Sequence, residues 1–439
     1  MDKSIYIKTF ELEDKPDSYL LYSTKRALKM VINKKFWDAF NPQKLTNQKE
    51  LEFFTFCKKN GLVVESKAKE KKEMLESIDK ANNEGKFFNA TVVLNLQCNL
   101  ACRYCFEGTQ KGEFYMQMST SESLIEMVHN KLKAGKDNIT LVFYGGEPFI
   151  TYSLMKHIAT RVRSLADSFK AEFAFKIVTN GTLFTGKQAA ELVPLGLVGA
   201  RITLDGISDN HDVFRPFKNG DPSFDVIIKN IKEVIKHVKL EIGGNYTKDN
   251  YSEFPKLIDY LYKQGITPDK LYMLKFDPVM QLKSKFALSD FTDGCVSSDE
   301  PWAHMAHSYL REEIMKRGYT TGKLVPSACV VEFKDNLIIN YDGLMYKCPP
   351  MLGHKEYAVG SLDRGIENYT EKLNLNSWWQ NKKCLSCEYL PICFGGCRYI
   401  KNAKDGNMKG MDCKKKTLDS TLEVLIKQEV KYNQLISKA

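Results

Sequence analysis

The sequence has no apolar run close to the roughly 18 residues that a membrane-spanning helix needs. Its N-terminus, MDKSIYIKTFELEDK, carries charges on both sides of a short apolar patch and does not resemble a signal peptide. It also lacks a dense arginine block and any interleaving of arginine with aromatic residues, which weighs against nucleic acid as a partner. From these absences we expect a cytoplasmic protein that binds neither a membrane nor a nucleic acid.

The composition is that of an ordinary globular protein, with 439 residues, 43% hydrophobic and 27% charged. A chain of this length predicts roughly two to four domains. The formal charge of +10 is a mild bias toward acidic partners, although a solvated lysine-rich surface also explains it. In a reducing cytosol the 12 cysteines favour metal or catalytic use over disulfides. All but Cys57 and Cys295 fall into patterned groups.

The first part of the chain, to about residue 65, predicts a small α+β unit. The stretch SYLLYSTKRALKMVI is strand-like. A helix follows, with Thr46 or Asn47 as its N-cap and Gly61 as a left-handed end, and then the strand LVVES. This order is typical of a winged-helix-like ending, and we expect Cys57 to pack in its core. Residues 66–86 form a charged connector with helical propensity.

From residue 87 onward, strands alternate with helices, which predicts parallel βα units. The six strands are NATVVLNL, NITLVFYGG, FAFKIVTNG, GARITLDG, LEIGGNYT and KLYMLKF. Six units predict an α/β fold with a partial (β/α)6 barrel. A helix near WAHMAHSYLREEIMKRG precedes a cysteine-rich, loop-rich region that needs metal or cross-links to hold it. The predicted domains are residues 1–85, 86–310 and 311–439.

Three cysteines follow the first of these strands, at Cys98, Cys102 and Cys105. A structural zinc site and a fully ligated cubane cluster both use four protein ligands, so three thiolates leave one position open. Special residues also end the later strands, in GGEP (145–148), TNG (179–181), TLDG (203–206) and NYT (245–247). Because barrel-type folds place their active sites at the carboxyl ends of the strands, we expect these motifs to share one rim.

The motif CNLACRYC followed by GGEP resembles the radical S-adenosylmethionine (SAM) superfamily. The resemblance covers all six βα units. It implies that the three thiolates hold a [4Fe-4S] cluster and that SAM occupies the open iron. It also implies that SAM is cleaved to a 5′-deoxyadenosyl radical, which abstracts a hydrogen atom. The residues it implies for SAM binding are Tyr104, Gly145, Gly146, Glu147, Pro148, Thr179, Asn180, Thr203 and Asp205. It names no general base.

Two further stretches narrow the resemblance. TLDGISDNHDVFRPFKNGDPSFD is similar to the subgroup that matures peptides and proteins, with His211 expected to be structural. The late cysteines taken alone could form a zinc ribbon, but together they resemble the SPASM domain, which holds two auxiliary [4Fe-4S] clusters. By this resemblance the distal cluster is held by Cys384, Cys387, Cys393 and Cys413, and the proximal one by Cys329, Cys348 and Cys397. The fourth proximal ligand stays open between Cys295, Asp335, a substrate atom and solvent.

The N-terminal unit resembles the peptide-recognition element of maturases that act on ribosomally made peptides. Such an element binds a leader peptide as an added strand. We therefore expect a radical SAM enzyme that modifies a precursor peptide with a leader and receives electrons from a donor such as flavodoxin or ferredoxin. The layout is similar to the streptide-type cyclases, which join lysine to tryptophan. The alternatives are a thioether-forming maturase, an anaerobic sulfatase maturase and, from another class, an iron–sulfur nucleic-acid-binding sensor.

Overall fold

The chain folds into two compact units. The computed structural model describes residues 1–105, 107–280, 294, 295, 300–367, 370 and 378–436. Unit 1 comprises Met1–Glu84, Lys323–Phe333 and Leu375–Ala439, and unit 2 comprises Gly85–Gly322 and Lys334–Asn374. None of the helices in the described ranges has the length and apolar composition needed to cross a bilayer.

The secondary structure alternates between strands and helices through most of the chain. The strands are β1 (Asp2–Lys3), β2 (Ile7–Glu11), β3 (Ser18–Ser23), β4 (Lys29–Asn33), β5 (Val63–Val64), β6 (Phe87–Val93), β7 (Asn138–Tyr144), β8 (Glu172–Thr179), β9 (Leu197–Thr203), β10 (Leu240–Tyr246), β11 (Leu271–Pro278), β12 (Asn336–Ile339), β13 (Leu344–Tyr346), β14 (Gly360–Ser361) and β15 (Gly365–Ile366). The α-helices are α1 (Lys34–Ala39), α2 (Gln48–Lys59), α3 (Lys67–Glu84), α4 (Met118–Lys133), α5 (Tyr152–Ser168), α6 (Gly186–Leu192), α7 (Ser208–Phe214), α8 (Phe224–Val234), α9 (Phe254–Lys263), α10 (Pro301–Lys316), α11 (Lys382–Leu385), α12 (Leu390–Cys393), α13 (Arg398–Asp405) and α14 (Lys415–Ile436).

Unit 2 is built on one large sheet. Its strand order is β11-β10-β9-β8-β7-β6-β12-β13-β14-β15. Every neighbouring pair from β11 to β12 is parallel, and the pairs from β12 to β15 are antiparallel. The α/β class and the six predicted strands are confirmed. Because β6 to β11 lie side by side in chain order, the carboxyl ends of all six meet at one edge.

The strands of this sheet form because branched and aromatic residues recur at every second position. In β8, Phe173, Phe175 and Ile177 are buried, while the residues between them are less so. Helix α5 covers this side of the sheet with Met155, Ile158 and other apolar residues on one face. The helices thereby supply the core on one face, and the loops at the strand ends are left to carry polar side chains.

Residues 1–65 form an α+β arrangement, as predicted. The stretch expected to be strand-like is in fact a hairpin of β3 and β4, and Ala27 in its turn has a φ of 55°. Asn47 caps α2, with its side-chain oxygen accepting from the backbone N–H of Glu50 at 3.0 Å. Gly61 ends that helix with a φ of 69°, and Cys57 is fully buried, both as expected.

Unit 1 joins the start of the chain to its end through two apolar cores. In one, Phe10 and Tyr22 of the β2–β3–β4 sheet pack with Leu422 and Ile426 of α14. In the other, Met74 and Ile78 of α3 pack with three residues of the cysteine-rich segment, namely Trp379, Leu390 and Phe394. The N-terminal segment and the C-terminal segment therefore share apolar cores, and apolar side chains of each are buried against the other.

Candidate functional site

Three cysteines lie in the loop that follows β6. Cys98 is buried, and Cys102 and Cys105 are half-buried. Burial raises the pKa of the Cys102 thiol to about 11, with negative charge on Cys105 and Cys98 acting in the same direction and Arg215 opposing it. The pKa of Cys98 is raised chiefly by burial, and Lys111 opposes this shift. The three thiols are therefore close enough for the charge on one to affect the pKa of another. The two cations near them are Lys111 and Arg215.

The three thiols could belong to a zinc site or to an iron–sulfur cluster. In the described part of the chain, no group of three Cys, His, Asp or Glu side chains is placed to hold a single metal ion. The thiolates of a cubane cluster bind different iron atoms and stand further apart than the ligands of one zinc ion. Three neighbouring thiols are the donor set of a [4Fe-4S] cluster with one open iron, so the residues present fit such a cluster.

The glycines of GGEP hold the chain that leads into this loop. A Cβ added to Gly145 would lie 2.4 Å from the carbonyl oxygen of Asn95, and one added to Gly146 would lie 2.3 Å from that of Gln97. The backbone N–H groups of Gly146 and Glu147 donate to the same two carbonyl oxygens, at 3.0 and 2.8 Å. The glycines thus admit the backbone next to Cys98, and their predicted contact with SAM stays a prediction.

Glu147 ties the ends of two strands together. Its fully buried carboxylate accepts from the hydroxyl of Thr179 at 2.8 Å and from the backbone N–H of Asn180 at 2.8 Å. It also accepts from the backbone N–H of Phe149 at 3.0 Å, at the turn that begins with Pro148. Burial raises the pKa of Glu147 to about 7, although these hydrogen bonds oppose the shift. The predicted contact of this carboxylate with the ammonium group of SAM stays a prediction.

A second buried network surrounds Tyr104, in the cysteine loop. Its phenolic oxygen accepts from Nη1 of Arg215 at 2.8 Å and from Nδ2 of Asn245 at 2.9 Å, and its hydroxyl donates to Asp205. Asp205 is fully buried and also accepts from the backbone N–H of Asn245 at 2.7 Å. Burial raises the pKa of Asp205, and Arg215 opposes the shift. The network connects the loop to the ends of β9 and β10.

His211 lies beneath this network and is structural, as expected. The backbone N–H of Asp205 donates to its Nδ1 at 3.2 Å, which places the ring proton on Nε2, 3.1 Å from the hydroxyl of Ser223. That hydroxyl in turn donates to the carbonyl oxygen of Arg215 at 2.7 Å. Burial lowers the pKa of His211 well below its usual value, and Arg215 adds to the shift. The histidine therefore stays neutral and fixes the turn that carries Arg215.

The cysteine loop also pairs with a distant segment. Leu100 and Phe217 form an antiparallel bridge, and the backbone N–H of Ala101 donates to the carbonyl oxygen of Pro216 at 2.8 Å. Beside this pairing lies a cavity of about 510 Å³ that reaches Cys98 and is lined by Gln97, Cys98, Asn99, Ile150, Phe217, Lys218, Asn219 and Asp221. A cysteine of the proposed cluster thus lines an open surface.

The comparison with known families now decides the nature of this region. Residues 92–261 match the family model of the Radical SAM superfamily. This part of the chain is a radical SAM domain. Domains of this family are enzymes, and the family implies a [4Fe-4S] cluster and SAM, which agrees with the three thiols of the cysteine loop.

Curated relatives of this chain include sulfatase-maturating enzymes. The chain is 24% identical over 355 residues to a cysteine-type anaerobic sulfatase-maturating enzyme of Clostridium novyi, covering 72% of this chain and 89% of that protein. It is 23% identical over 336 residues to a serine-type anaerobic sulfatase-maturating enzyme of Klebsiella aerogenes, covering 71% and 79%.

Two solved structures are similar to this chain in fold. The structure of anSMEcpe with bound AdoMet and the Kp18Cys peptide has a TM-score of 0.61 and 17% identity, covering 80% of this chain and all of that one. The structure of Streptococcus suis SuiB bound to the precursor peptide SuiA has a TM-score of 0.56 and 15% identity, covering 94% and 98%. These similarities extend well beyond the domain matched by the family model.

In unit 1 four of the late cysteines are neighbours. Burial raises the pKa of the Cys384 thiol, and negative charge on Cys393, Cys387 and Cys413 adds to the shift. A Cβ added to Gly396 would lie 1.9 Å from the carbonyl oxygen of Asp412, so the glycine pair in CFGGC lets two cysteine-bearing segments meet. The four thiols predicted for the distal cluster are therefore brought together.

The residues predicted for the proximal cluster fall in both units. Cys329 and Cys397 belong to unit 1 and interact electrostatically, and Cys348 belongs to unit 2. Among the candidates for the fourth ligand, Asp335 is bound by the ammonium groups of Lys131 at 2.6 Å and Lys136 at 2.7 Å. Cys295 is buried, with its Sγ 3.5 Å from Glu300 Oε1. The proximal ligand set stays a prediction.

Sequence reasoning missed several residues of the site. Arg215, Asn245 and Asn99 were not predicted as site residues, although each contacts one that was. Arg215 lies in the stretch used for the family resemblance and Asn245 in the strand-end motif NYT, so a signal for both was present in the sequence. Asn99 and Leu100 lie in the motif CNLACRYC and Phe217 in the same resemblance stretch as Arg215, but nothing in the sequence marked the contacts that they make. Thr203 ends β9 in register with Gly243 of β10.

Proposed function

We propose that this radical SAM enzyme modifies a ribosomally synthesised precursor peptide and forms an intramolecular carbon–carbon crosslink of the lysine–tryptophan type. The observation that carries the proposal is the grouping of three thiols, Cys98, Cys102 and Cys105, at the carboxyl edge of a parallel sheet. When bound, the cluster and SAM supply a 5′-deoxyadenosyl radical that abstracts hydrogen from an unreactive C–H bond.

The chain's own residues hold and orient these cofactors. Lys111 and Arg215 place positive charge beside the thiols, which favours the thiolate form that binds iron. The glycine pair of GGEP and the Tyr104 network fix the cysteine loop from two sides. The residues proposed to contact SAM, directly or through the loop, are Tyr104, Gly145, Gly146, Glu147, Pro148, Thr179, Asn180, Thr203 and Asp205.

We further propose two auxiliary [4Fe-4S] clusters, giving three in all. The proposal is supported by the grouping of Cys384 with Cys387, Cys393 and Cys413 in unit 1. The proximal cluster would use Cys329, Cys348 and Cys397. Since two ammonium groups already bind Asp335, we favour Cys295, a substrate atom or solvent as the remaining proximal ligand. These clusters would accept the second electron that a carbon–carbon crosslink must release after hydrogen abstraction.

Residues 1–84 are proposed to recognise the leader peptide. The strand β4 is at an edge of its three-stranded sheet, and its residue Val31 is 42% exposed. An edge strand offers unpaired N–H and C=O groups to an extended peptide. Helix α2 adds two exposed apolar side chains, Leu51 and Phe56. An added strand along β4 would therefore gain backbone pairing.

The curated relatives favour one alternative, an anaerobic sulfatase maturase. Against it, the similarity to SuiB covers 94% of this chain, which leaves only about 26 of 439 residues unaligned and so includes most of residues 1–84. The similarity to anSMEcpe leaves 20% of the chain uncovered. A thioether-forming maturase remains compatible with the same site. A nucleic-acid-binding sensor leaves GGEP and the polar strand ends without a role.

The test is to supply the anaerobically reconstituted enzyme with SAM, a reductant and a precursor peptide encoded beside its gene. A crosslinked product loses two hydrogen atoms and resists fragmentation between the joined residues in tandem mass spectrometry. A sulfatase-derived peptide offered in parallel should stay unchanged. Conversion of its cysteine or serine to formylglycine, with no change in the precursor peptide, would favour the maturase. Zinc in place of iron would overturn both.

A further inference from the structure

Asn180 follows β8 and points at a predicted cluster ligand. Its side-chain Nδ2 is 3.8 Å from Sγ of Cys98, and the backbone N–H of Leu100 is 3.5 Å from the same sulfur. Both Asn180 and Cys98 are only 5% exposed, so these donors face the sulfur in a largely buried position. The sulfur of Cys98 thus faces two N–H groups that belong to different loops.

A closed ring of hydrogen bonds fixes the orientation of the Asn180 amide. Its Nδ2 donates to Oδ1 of Asn99 at 2.8 Å, Nδ2 of Asn99 donates to the hydroxyl of Thr182 at 2.8 Å, and that hydroxyl donates to Oδ1 of Asn180 at 2.7 Å. The backbone N–H of Thr182 also donates to Oδ1 of Asn180, at 2.9 Å. Reversing the amide would break these bonds, so the nitrogen and not the oxygen faces Cys98.

The turn that carries Asn180 is itself held from two sides. Its backbone N–H donates to Oε2 of Glu147 at 2.8 Å. From α8, Nδ2 of Asn230 donates to the carbonyl oxygens of Gly181 and Thr182, at 2.9 and 2.8 Å. The turn that carries Asn180 is therefore anchored on two sides, while the side-chain ring with Asn99 and Thr182 sets the direction of the amide.

We infer that Asn180 is a positioning residue that donates to the Cys98 thiolate and raises the reduction potential of the SAM-binding cluster. Reduction adds negative charge to the cluster and its thiolates, and an N–H donor stabilises the more negative state. The inference rests on the proposed ligation of that cluster by Cys98, Cys102 and Cys105. It deepens the proposed function by assigning a residue that makes the first electron transfer easier.

This role replaces a direct contact between SAM and the Asn180 side chain. An asparagine amide has two N–H donors and two acceptor lone pairs. Asn99 and Cys98 take the two donors, and the N–H and hydroxyl of Thr182 take the acceptor positions. The side chain therefore has no unused group to offer to a ribose or a carboxylate.

The experiment is an anaerobic redox titration of the full-length reconstituted enzyme without SAM, followed by electron paramagnetic resonance. The signal of the SAM-binding cluster is identified by its loss when Cys98, Cys102 and Cys105 are together replaced by Ala. Asn180→Leu should lower the potential, so that the reduced-to-oxidised ratio at a fixed potential falls about threefold to tenfold. Asn180→Asp, which cannot donate and adds negative charge, should lower it further.

Asn230→Leu is the matched control, because it removes two hydrogen bonds from the same turn without touching Cys98. Its potential should stay close to that of the wild type. Equal shifts in Asn230→Leu and Asn180→Leu would overturn the inference, as would wild-type potentials in both Asn180 variants. Weaker SAM binding by Asn180→Leu at an unchanged potential would also overturn it and restore the direct contact. If Asn180→Leu does not bind iron, the reduction potential of Asn180→Asp tests the inference in its place.

The failure of this inference can be told apart from that of the proposed function. If the triple cysteine variant keeps its full iron content and every signal, the proposed cluster ligation is wrong. If it loses one signal while both Asn180 variants have the wild-type potential, the ligation stands and only the role of Asn180 is wrong.

Discussion

Nη1 of Arg215 donates to the phenolic oxygen of Tyr104 at 2.8 Å, although the two residues are 111 positions apart in the chain. Arg215 also lies 3.8 Å from the fully buried carboxylate of Asp205. One cation thus supports both a residue of the cysteine loop and a strand-end carboxylate. Removing it leaves a buried negative charge without its partner.

We expect Arg215→Met to lower the free energy of unfolding by about 3–5 kcal/mol, the usual cost of breaking a buried pair. Chemical denaturation measures this loss, and iron content should fall with it because the loop is less well held. The control is Arg161→Met, since Arg161 is exposed and its contact with Glu122 should contribute less than about 1 kcal/mol. Equal stability of the two variants would contradict the role of Arg215.

A methyl group at Gly146 should disturb the cluster site without entering it. In Gly146→Ala the new Cβ would meet the carbonyl oxygen of Gln97 at 2.3 Å, so the segment leading to Cys98 must move. We expect the iron of the SAM-binding cluster and SAM cleavage to fall sharply, measured by iron analysis and 5′-deoxyadenosine formation. Gly322→Ala is the control, because nothing lies within 4 Å of its Cβ position. Full iron loading of Gly146→Ala would show that the close approach is unimportant.

His211 should make stability fall in mild acid. Burial lowers the pKa of His211 in the folded protein well below its usual value, so the unfolded chain binds a proton that the folded chain does not. Stability is then lost as the pH falls below about 6.5, by up to about 1.4 kcal/mol per pH unit. The free energy of unfolding of the wild type and of His211→Gln can be measured by denaturation between about pH 8 and pH 5.5. As the pH falls, the free energy of unfolding should decrease more for the wild type than for His211→Gln. Parallel curves would mean that His211 takes up its proton in the folded state.

The distal cysteines should matter after hydrogen abstraction. Replacing Cys384 and Cys387 together with Ala should remove one cluster, about a third of the iron if three cubanes are present. We expect 5′-deoxyadenosine to form still, while crosslinked peptide falls sharply. Circular dichroism must first show that unit 1 stays folded, because metal binding contributes folding free energy in loop-rich regions. Cys57→Ala, which removes a core thiol, should keep all its iron. Wild-type product formation by the double variant would leave the cluster only a structural role.

Leader recognition is best tested by a point change in the N-terminal sheet. Deleting residues 1–84 would also remove Phe10 and Tyr22 from the core that they share with α14. The deletion would therefore destabilise the cysteine-rich segment as well. Val31→Lys places a charge on the exposed β4 edge and should raise KM for a leader-bearing peptide at least several-fold, while SAM cleavage without peptide is unchanged. Thr9→Lys, on the exposed side of the opposite edge strand β2, is the control. Equal KM values for both variants and the wild type would argue against docking along β4.

The sequence by itself determined the α/β class, the six parallel strands and the cysteines that carry the proposed ligation. Each of these features is local. Alternating apolar residues favour a strand such as β8 whatever it packs against. The spacing of Cys98, Cys102 and Cys105 is a property of one short loop. The N-cap at Asn47 and the left-handed Gly61 were predictable for the same reason, since a helix end depends on the few residues around it.

Only the tertiary structure decided how distant residues meet. The contact of Arg215 with Tyr104, the ring of Asn180, Asn99 and Thr182, and the packing of Gly146 against Gln97 join segments that are far apart in sequence. The pairing of the N-terminal sheet with α14 in unit 1 is of the same kind. A hydrogen bond or a close backbone contact depends on where the fold brings two groups, and residue type and spacing do not encode that position.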